Sequence, residues 1–342
     1  MSEKYANKGL TGLANLGNTC FINSCMQVIS HTYEINDLLD NLGDDINETT
    51  DGVLLNEWNK LRQLMWSENC VISPNGWLKA VHSVATEKDK DIFTGYAQND
   101  VPEFLLFIVD CFHNALKRQV KMTVKGNVKN NKDELAKKCY EMVIGMYEKE
   151  YSEVLKMFFG IHISQITNMD EEVLSNHPEP YFMLDLPVPQ GKTRNGKISL
   201  VDCLHAYSAP ETLEGENAWL NEESGEKENV NRKIVFWSLP DLLIISFKRF
   251  NNVGRKLQNL IDFPLENLDL TEYTYAYNED SVYDLYGVCN HSGGVMGGHY
   301  TASVKNANGH WYYFNDTNVS KIPNPEKIVC PQAYCLFYRK KK

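Results

Sequence analysis

The hydrophobic spacing of this chain changes character near residue 160, and that change limits the fold more than any other feature. Before it, the spacing is helical: Phe21, Ser24, Cys25, Val28 and Ile29 share one face, and residues 52–66, 74–86 and 135–159 carry further helical patterns. After it, short β-rich runs dominate: Tyr181–Val188, Lys233–Trp237, Leu242–Phe247, Tyr283–Cys289, His299–Lys305, His310–Asn315 and Ala333–Tyr338, with Gly- and Asn-rich turns between the later ones. Residues 123–134 and 214–232 are polar and read as a mobile loop and an exposed connection. No internal repeat is present. A helical half followed by a strand-rich half predicts an α+β fold whose two lobes leave a cleft between them.

With 342 residues, of which 43% are hydrophobic, the chain can bury a sizeable core in one large domain or two modest ones. Its 45 acidic and 34 basic side chains give a formal charge of −11. That balance argues against nonspecific nucleic-acid binding and suits a partner with a basic surface, or serves solubility alone. The nine cysteines are odd in number and contain no Cys-x-x-Cys pair, so neither a disulfide framework nor a zinc site is expected. The segment MSEKYANKGL does not read as a signal peptide, and no apolar run nears the roughly 20 residues that span a bilayer. A reducing compartment, cytoplasm or nucleus, is the expected setting, with no membrane partner.

Residues 9–20, GLTGLANLGNTC, form a Gly/Asn loop running into a helix that starts near Cys20, with Asn18 or Thr19 as its cap. A sulfur at a helix N-terminus meets partial positive charge and free N–H groups, which lower a thiol pKa and favour the nucleophilic thiolate. The same N–H groups can hold an oxyanion, and Asn15 can add a side-chain donor. The alternative is a buried structural thiol. A thiol nucleophile also needs a base, and NHSGGVMGGHY offers His291 and His299. Gly297 and Gly298 before His299 allow close backbone approach, as a channel for a side-chain-free Gly-Gly tail requires; a plain Gly-rich turn fits as well. A turn at Asn306–Gly309 would fold the next strand back and bring Asn315 or Asp316 beside His299, where an amide or carboxylate can fix the imidazole tautomer. Asp100-Val-Pro-Glu103 reads as a helix start, with Asp100 as cap and Glu103 as capping-box acid.

Four blocks together resemble the ubiquitin-specific protease family of papain-like cysteine deubiquitinases: GLTGLANLGNTCFINSCMQ, GYAQNDVPEFLLFIVDCFH, LLIISFKRF, and YDLYGVCNHSGGVMGGHYTASVKNANGHWYYFNDTNVSKI closed by AYCLFYRK. They occur in family order from residue 9 to 339. The resemblance implies one catalytic domain over residues 9–340, with a helical thumb over about 9–158 and antiparallel-β palm and β fingers over about 159–342. It implies hydrolysis of the (iso)peptide bond after the C-terminal Gly-Gly of ubiquitin by a cofactor-free monomer acting on ubiquitin and ubiquitinated proteins. By position it makes Cys20 the nucleophile, Asn15 the oxyanion donor, His299 rather than His291 the base, Asn315 the third member and Asp316 the neighbouring acid. Asp100 and Glu103 fall on family contacts to the basic ubiquitin tail.

Two positions depart from the family pattern. Many members carry a zinc ribbon in the fingers, yet residues 164–175 and 218–230 here contain no cysteine. Packing is then expected to hold the fingers without metal. A position often Gln is Pro102, which has no side-chain donor. Two other functions fit the same sequence: a catalytically weak ubiquitin-binding scaffold, and a peptidase for another ubiquitin-like modifier with a Gly-Gly end.

Overall fold

The computed structural model describes residues 3–42, 46–95, 97–189, 198–221, 224–277, 280–294 and 297–341. Helices dominate the first part: α1 (Cys20–Ser30), α2 (Tyr33–Asn41), α3 (Thr50–Ser67), α4 (Asn75–Glu87), α5 (Val101–Leu116), α6 (Asn131–Glu150) and α7 (Glu153–Phe158). Two short strands, β1 (Gly12–Leu13) and β2 (Val71–Ile72), pair in parallel and tie the loop before α1 to the end of α3. Helix α6 begins inside the segment expected to be a loop. Asn130 accepts from the Asp133 N–H at 2.9 Å, and this cap starts a helix that the polar composition hid.

Strands follow in chain order: β3 (Gly160–Thr167), β4 (Val173–Tyr181), β5 (Met183–Pro187) and β6 (Ile198–Ser199), then helix α8 (Leu200–Ser208). Next come β7 (Glu211–Leu213), β8 (Trp219–Leu220), β9 (Lys227–Glu228), β10 (Val230–Ser238), β11 (Leu242–Lys248), β12 (Ile261–Asp262) and β13 (Leu268–Asp269). The chain ends with β14 (Val282–Gly294), β15 (Gly297–Lys305), β16 (Trp311–Asn315), β17 (Asn318–Lys321) and β18 (Ala333–Lys340). The exposed connection expected over 214–232 is therefore partly sheet: β8 and β9 pair as a hairpin, and β10 starts at Val230.

Two sheets organise these strands. The larger has the order β17-β16-β15-β14-β18-β11-β5, with β13 also against β14. The smaller, β4-β3-β10-β7, is antiparallel throughout. Helix α6 covers one side of the smaller sheet, packing Leu135, Ala136 and Cys139 against Ile163 and Trp237. At the far end of β3 the turn is stitched by Asn168, whose carboxamide oxygen accepts from the N–H groups of Asp170 and Glu172. Among the described residues, no group of three or more His, Cys, Asp or Glu side chains is placed to share a metal ion. No helix among them is long and apolar enough to cross a membrane.

Helix α1 is the joint between the lobes. All of its residues are buried. One side meets α5, where Phe21 sets its ring edge-on to Phe104 at 5.3 Å. The other side lies on the large sheet, so closely that a Cβ at Gly287 of β14 would sit 2.6 Å from Val28 Cγ1. Met26, Val28 and Ile29 are fully enclosed. Each such side chain contributes about 1.5–3 kcal/mol through burial. The helix that carries Cys20 is thus held at a set height above β14 and β15.

Just past α1, His31 is fully buried among Tyr33, Trp66 and Phe314, and its Nδ1 meets the Gln27 carbonyl at 2.9 Å. Burial pushes its pKa down to about 4. An unfolded histidine titrates near 6.5, so between these values the unfolded chain binds more protons than the folded one. Stability is then fully present above pH 6.5 and is lost as pH falls toward 4. Denaturant midpoints measured from pH 7 to 5 are expected to fall, and His31→Gln to flatten that slope; an equal slope in both proteins would contradict the buried neutral imidazole.

Candidate active site

The loop before α1 is built around one side chain. The Asn15 carboxamide oxygen accepts from the N–H groups of Gly17 and Thr19, each at 3.1 Å. Gly17 and Asn18 take positive φ (104° and 55°), which curls the chain and delivers Cys20 at the tip of α1. Thr19 holds the cap position, but its hydroxyl accepts from the Leu16 N–H behind it at 2.9 Å and makes no forward cap bond.

From the large sheet, β15 and β16 present the opposite wall. Their hairpin closes through Asn306, whose side chain accepts from the Asn308 N–H, and Gly309 at φ 82°. The returning strand sets Asn315 against His299, with Asn315 Oδ1 2.7 Å from His299 Nε2. A carboxamide oxygen can only accept. Nε2 therefore carries the proton, and Nδ1 keeps its lone pair.

The residues after Asn315 reach the cysteine loop. Asp316 sits at φ 49° in the short turn between β16 and β17. One carboxylate oxygen accepts from Asn15 Nδ2 at 3.0 Å, the other from Asn23 Nδ2 at 2.8 Å. Its backbone carbonyl accepts from the Leu13 N–H at 2.9 Å. The contact is so close that a Cβ at Gly12 would lie 2.3 Å from the Thr317 carbonyl oxygen. The hairpin pattern left Asn315 and Asp316 as alternative partners for the imidazole, and the family resemblance chose Asn315. The structure divides the work: Asn315 takes the ring, and Asp316 takes the cysteine loop.

The sulfur lies on the edge of β15. The backbone N–H groups of Tyr300, the residue after His299, of Phe21 and of Cys20 itself lie near enough to lower its pKa. The thiol pKa nevertheless lies above the ordinary value. Burial is the leading cause, the Asp316 charge adds to it, and the three N–H groups only partly offset them. This corrects the expectation that the helix terminus alone makes a thiolate. Desolvation outweighs the helix end because Cys20 is only 1% exposed.

His291 lies underneath. It is buried against Phe250, Tyr300 and Tyr334, and burial pushes its pKa down to about 4. A Cβ at Gly298 would fall 2.3 Å from its Nε2. Glycine at 298 is thus required by this packing, whatever passes above it, while the Cβ position at Gly297 has only an ordinary contact with Gln98 at 3.8 Å. Val295 and Met296 of the same segment lie outside the described residues.

Asp100 heads α5 but makes no side-chain cap bond. Its two oxygens instead accept from the hydroxyls of Tyr300 (2.9 Å) and Tyr334 (3.0 Å), and burial raises its pKa. It buttresses the strand of His299, and each oxygen keeps a further lone pair. Glu103, one turn on, is exposed. Sequence reasoning missed Gln98. Its Nε2 donates to the Gly298 carbonyl at 2.5 Å, and its Oε1 accepts from the Gly298 N–H at 2.6 Å. The residue lies within a segment already singled out, but its partner is 200 positions away.

A family profile described as ubiquitin carboxyl-terminal hydrolase matches residues 11–338. Human ubiquitin carboxyl-terminal hydrolase 2 is 33% identical over 99% of this chain and 56% of its own length. The corresponding Gallus gallus protein is 34% identical over 97% of this chain and 93% of its own. The chain therefore spans about half the length of the human relative. Among solved structures, the SAGA DUB module containing Ubp8 bound to monoubiquitin covers the whole chain and 71% of its own, at TM-score 0.73 and 23% identity. The yeast SAGA DUB module with a Sgf73 variant aligns over the whole chain and 70% of its own, at TM-score 0.72 and 24% identity. These likenesses establish the α+β fold.

Because desolvation holds the thiol protonated, alkylation of Cys20 by iodoacetamide is expected to climb with pH through a midpoint above that of a free thiol, with Cys20→Ala as the blank for exposed Cys70. A rate already flat between pH 5 and 8 would instead reveal a thiolate paired with His299 before substrate arrives.

Proposed function

The chain belongs to the ubiquitin carboxyl-terminal hydrolase family, and from that premise we propose that it is a thiol deubiquitinase cleaving the (iso)peptide bond after the C-terminal Gly-Gly of ubiquitin. The observation that carries the reading is the chain of contacts from the imidazole through Asn315 and Asp316 to the loop of Cys20.

In this mechanism His299 Nδ1 takes the Cys20 proton as the sulfur attacks the glycine carbonyl carbon. A thiol kept neutral at rest suits proton removal during attack. The carbonyl oxygen becomes an oxyanion, stabilised by backbone N–H at the tip of α1 and by the Asn15 carboxamide, whose second N–H is not the one given to Asp316. The imidazolium, its Nε2–H held by Asn315, returns the proton to the leaving amine. Water, deprotonated by His299, then hydrolyses the thioester and frees the carboxylate and the thiol. Ubiquitin and its conjugates are the partners this reading implies. Asp100, with acceptor capacity beyond its two tyrosine bonds, and exposed Glu103 are the acids to meet a basic tail.

A ubiquitin C-terminal amide reporter is expected to be cleaved by the wild type and not by Cys20→Ala, with the variant still folded by thermal melt. A ubiquitin carrying a reactive C-terminus is expected to label the wild type at Cys20. Labelling only by a different modifier's probe would move the substrate, and binding without an adduct would leave a receptor.

A further inference from the structure

The edge of β15 away from β14 carries groups of the site, and what occupies it sets what can pair there. In a strand, the N–H and C=O of every second residue point to the same edge. Ala302 pairs on this edge with Phe314 of β16. The Tyr300 N–H faces the Cys20 sulfur and favours its charged form. Gly298 gives both its N–H and its C=O to the Gln98 carboxamide. The three occupants are thus a strand, the candidate nucleophile and a side-chain amide.

A carboxamide that accepts from a residue's N–H and donates to its C=O satisfies that residue as a neighbouring β-strand does. An extended tail ending at Cys20 would run past Gly298 and add to the same edge by backbone hydrogen bonds. Gln98 and such a tail claim the same two groups. The near-complete burial of Cys20 fits a slot that is closed at rest.

We propose that Gln98 is a latch: its carboxamide occupies the Gly298 edge in the free protein, and the glycine-rich C-terminal tail of the substrate displaces it on binding. The latch deepens the deubiquitinase reading by saying how access to its site is controlled. It spans the lobes, since Gln98 precedes α5 and Gly298 lies in β15. Its release opens the slot without moving the His299–Asn315 pair. Because Gln98 is exposed, its substitution leaves the core intact.

Two readouts on Gln98→Ala test this. Removing one doubly bonded amide is expected to speed iodoacetamide labelling of Cys20 by about three- to ten-fold, the range of a modest hydrogen-bond contribution. KM for the ubiquitin reporter is expected to fall by a similar factor, with kcat within about twofold. Gln98→Glu keeps an acceptor for the Gly298 N–H but sets a carboxylate against the Gly298 carbonyl, so it should also unlatch. Unchanged labelling in Gln98→Ala, or a raised KM, overturns the latch and makes Gln98 a substrate contact. A wild type that labels with iodoacetamide but forms no adduct with reactive ubiquitin fails the deubiquitinase reading instead, and the labelling ratio still decides the latch.

Discussion

The turn of Asn315 and Asp316 is the contact on which the rest of the cleft depends. Two adjacent side chains face different elements: one holds the imidazole of His299, the other holds the loop that presents Cys20. The sheet fixes the turn through the pairing of β16 with β15 and β17. The backbone tightens the dock, with the Leu13 N–H on the Asp316 carbonyl and no room for a Cβ at Gly12. A charged acceptor bonded to two neutral donors is worth more than a neutral pair. Asp316 is thus a strong tie between segments some 300 positions apart in sequence.

Around that tie the lobes carry distinct loads. Helix α1 is clamped between Phe104 and the flat face that Gly287 leaves on β14, so Cys20 has little freedom to shift. Asp100 braces β15 from the helical side through Tyr300 and Tyr334. The smaller sheet rests on α6 through a small apolar cluster and carries no side chain of the site.

Much of this was legible in the sequence, for physical reasons. The switch from helical to strand spacing marked the passage from helices to sheet, and a cysteine after a Gly/Asn loop marked the helix tip. The turn residues Asn306 and Gly309 announced the hairpin that brings Asn315 to His299. What stayed hidden depends on burial or on distant partners. The helix end promised an acidic thiol, but enclosure of Cys20 raises its pKa, and enclosure cannot be read from local residues. Asp100 looked like a side-chain cap because nothing nearby in sequence shows Tyr300 and Tyr334 closing on it. The glycine at 298 looked like a channel wall, and the imidazole of His291 beneath it supplies a second reason for it.

If Asn315 and Asp316 work as one unit, their losses do not add, because either substitution breaks the same side-chain path from the imidazole to the cysteine loop. The most direct measurement is kcat/KM for ubiquitin reporter cleavage by Asn315→Ala, Asp316→Ala and the double variant. We expect the double variant to lie within a few-fold of the weaker single one, a coupling of at least about 1 kcal/mol. Effects that multiply, with no coupling, would contradict the turn as the common support of base and nucleophile.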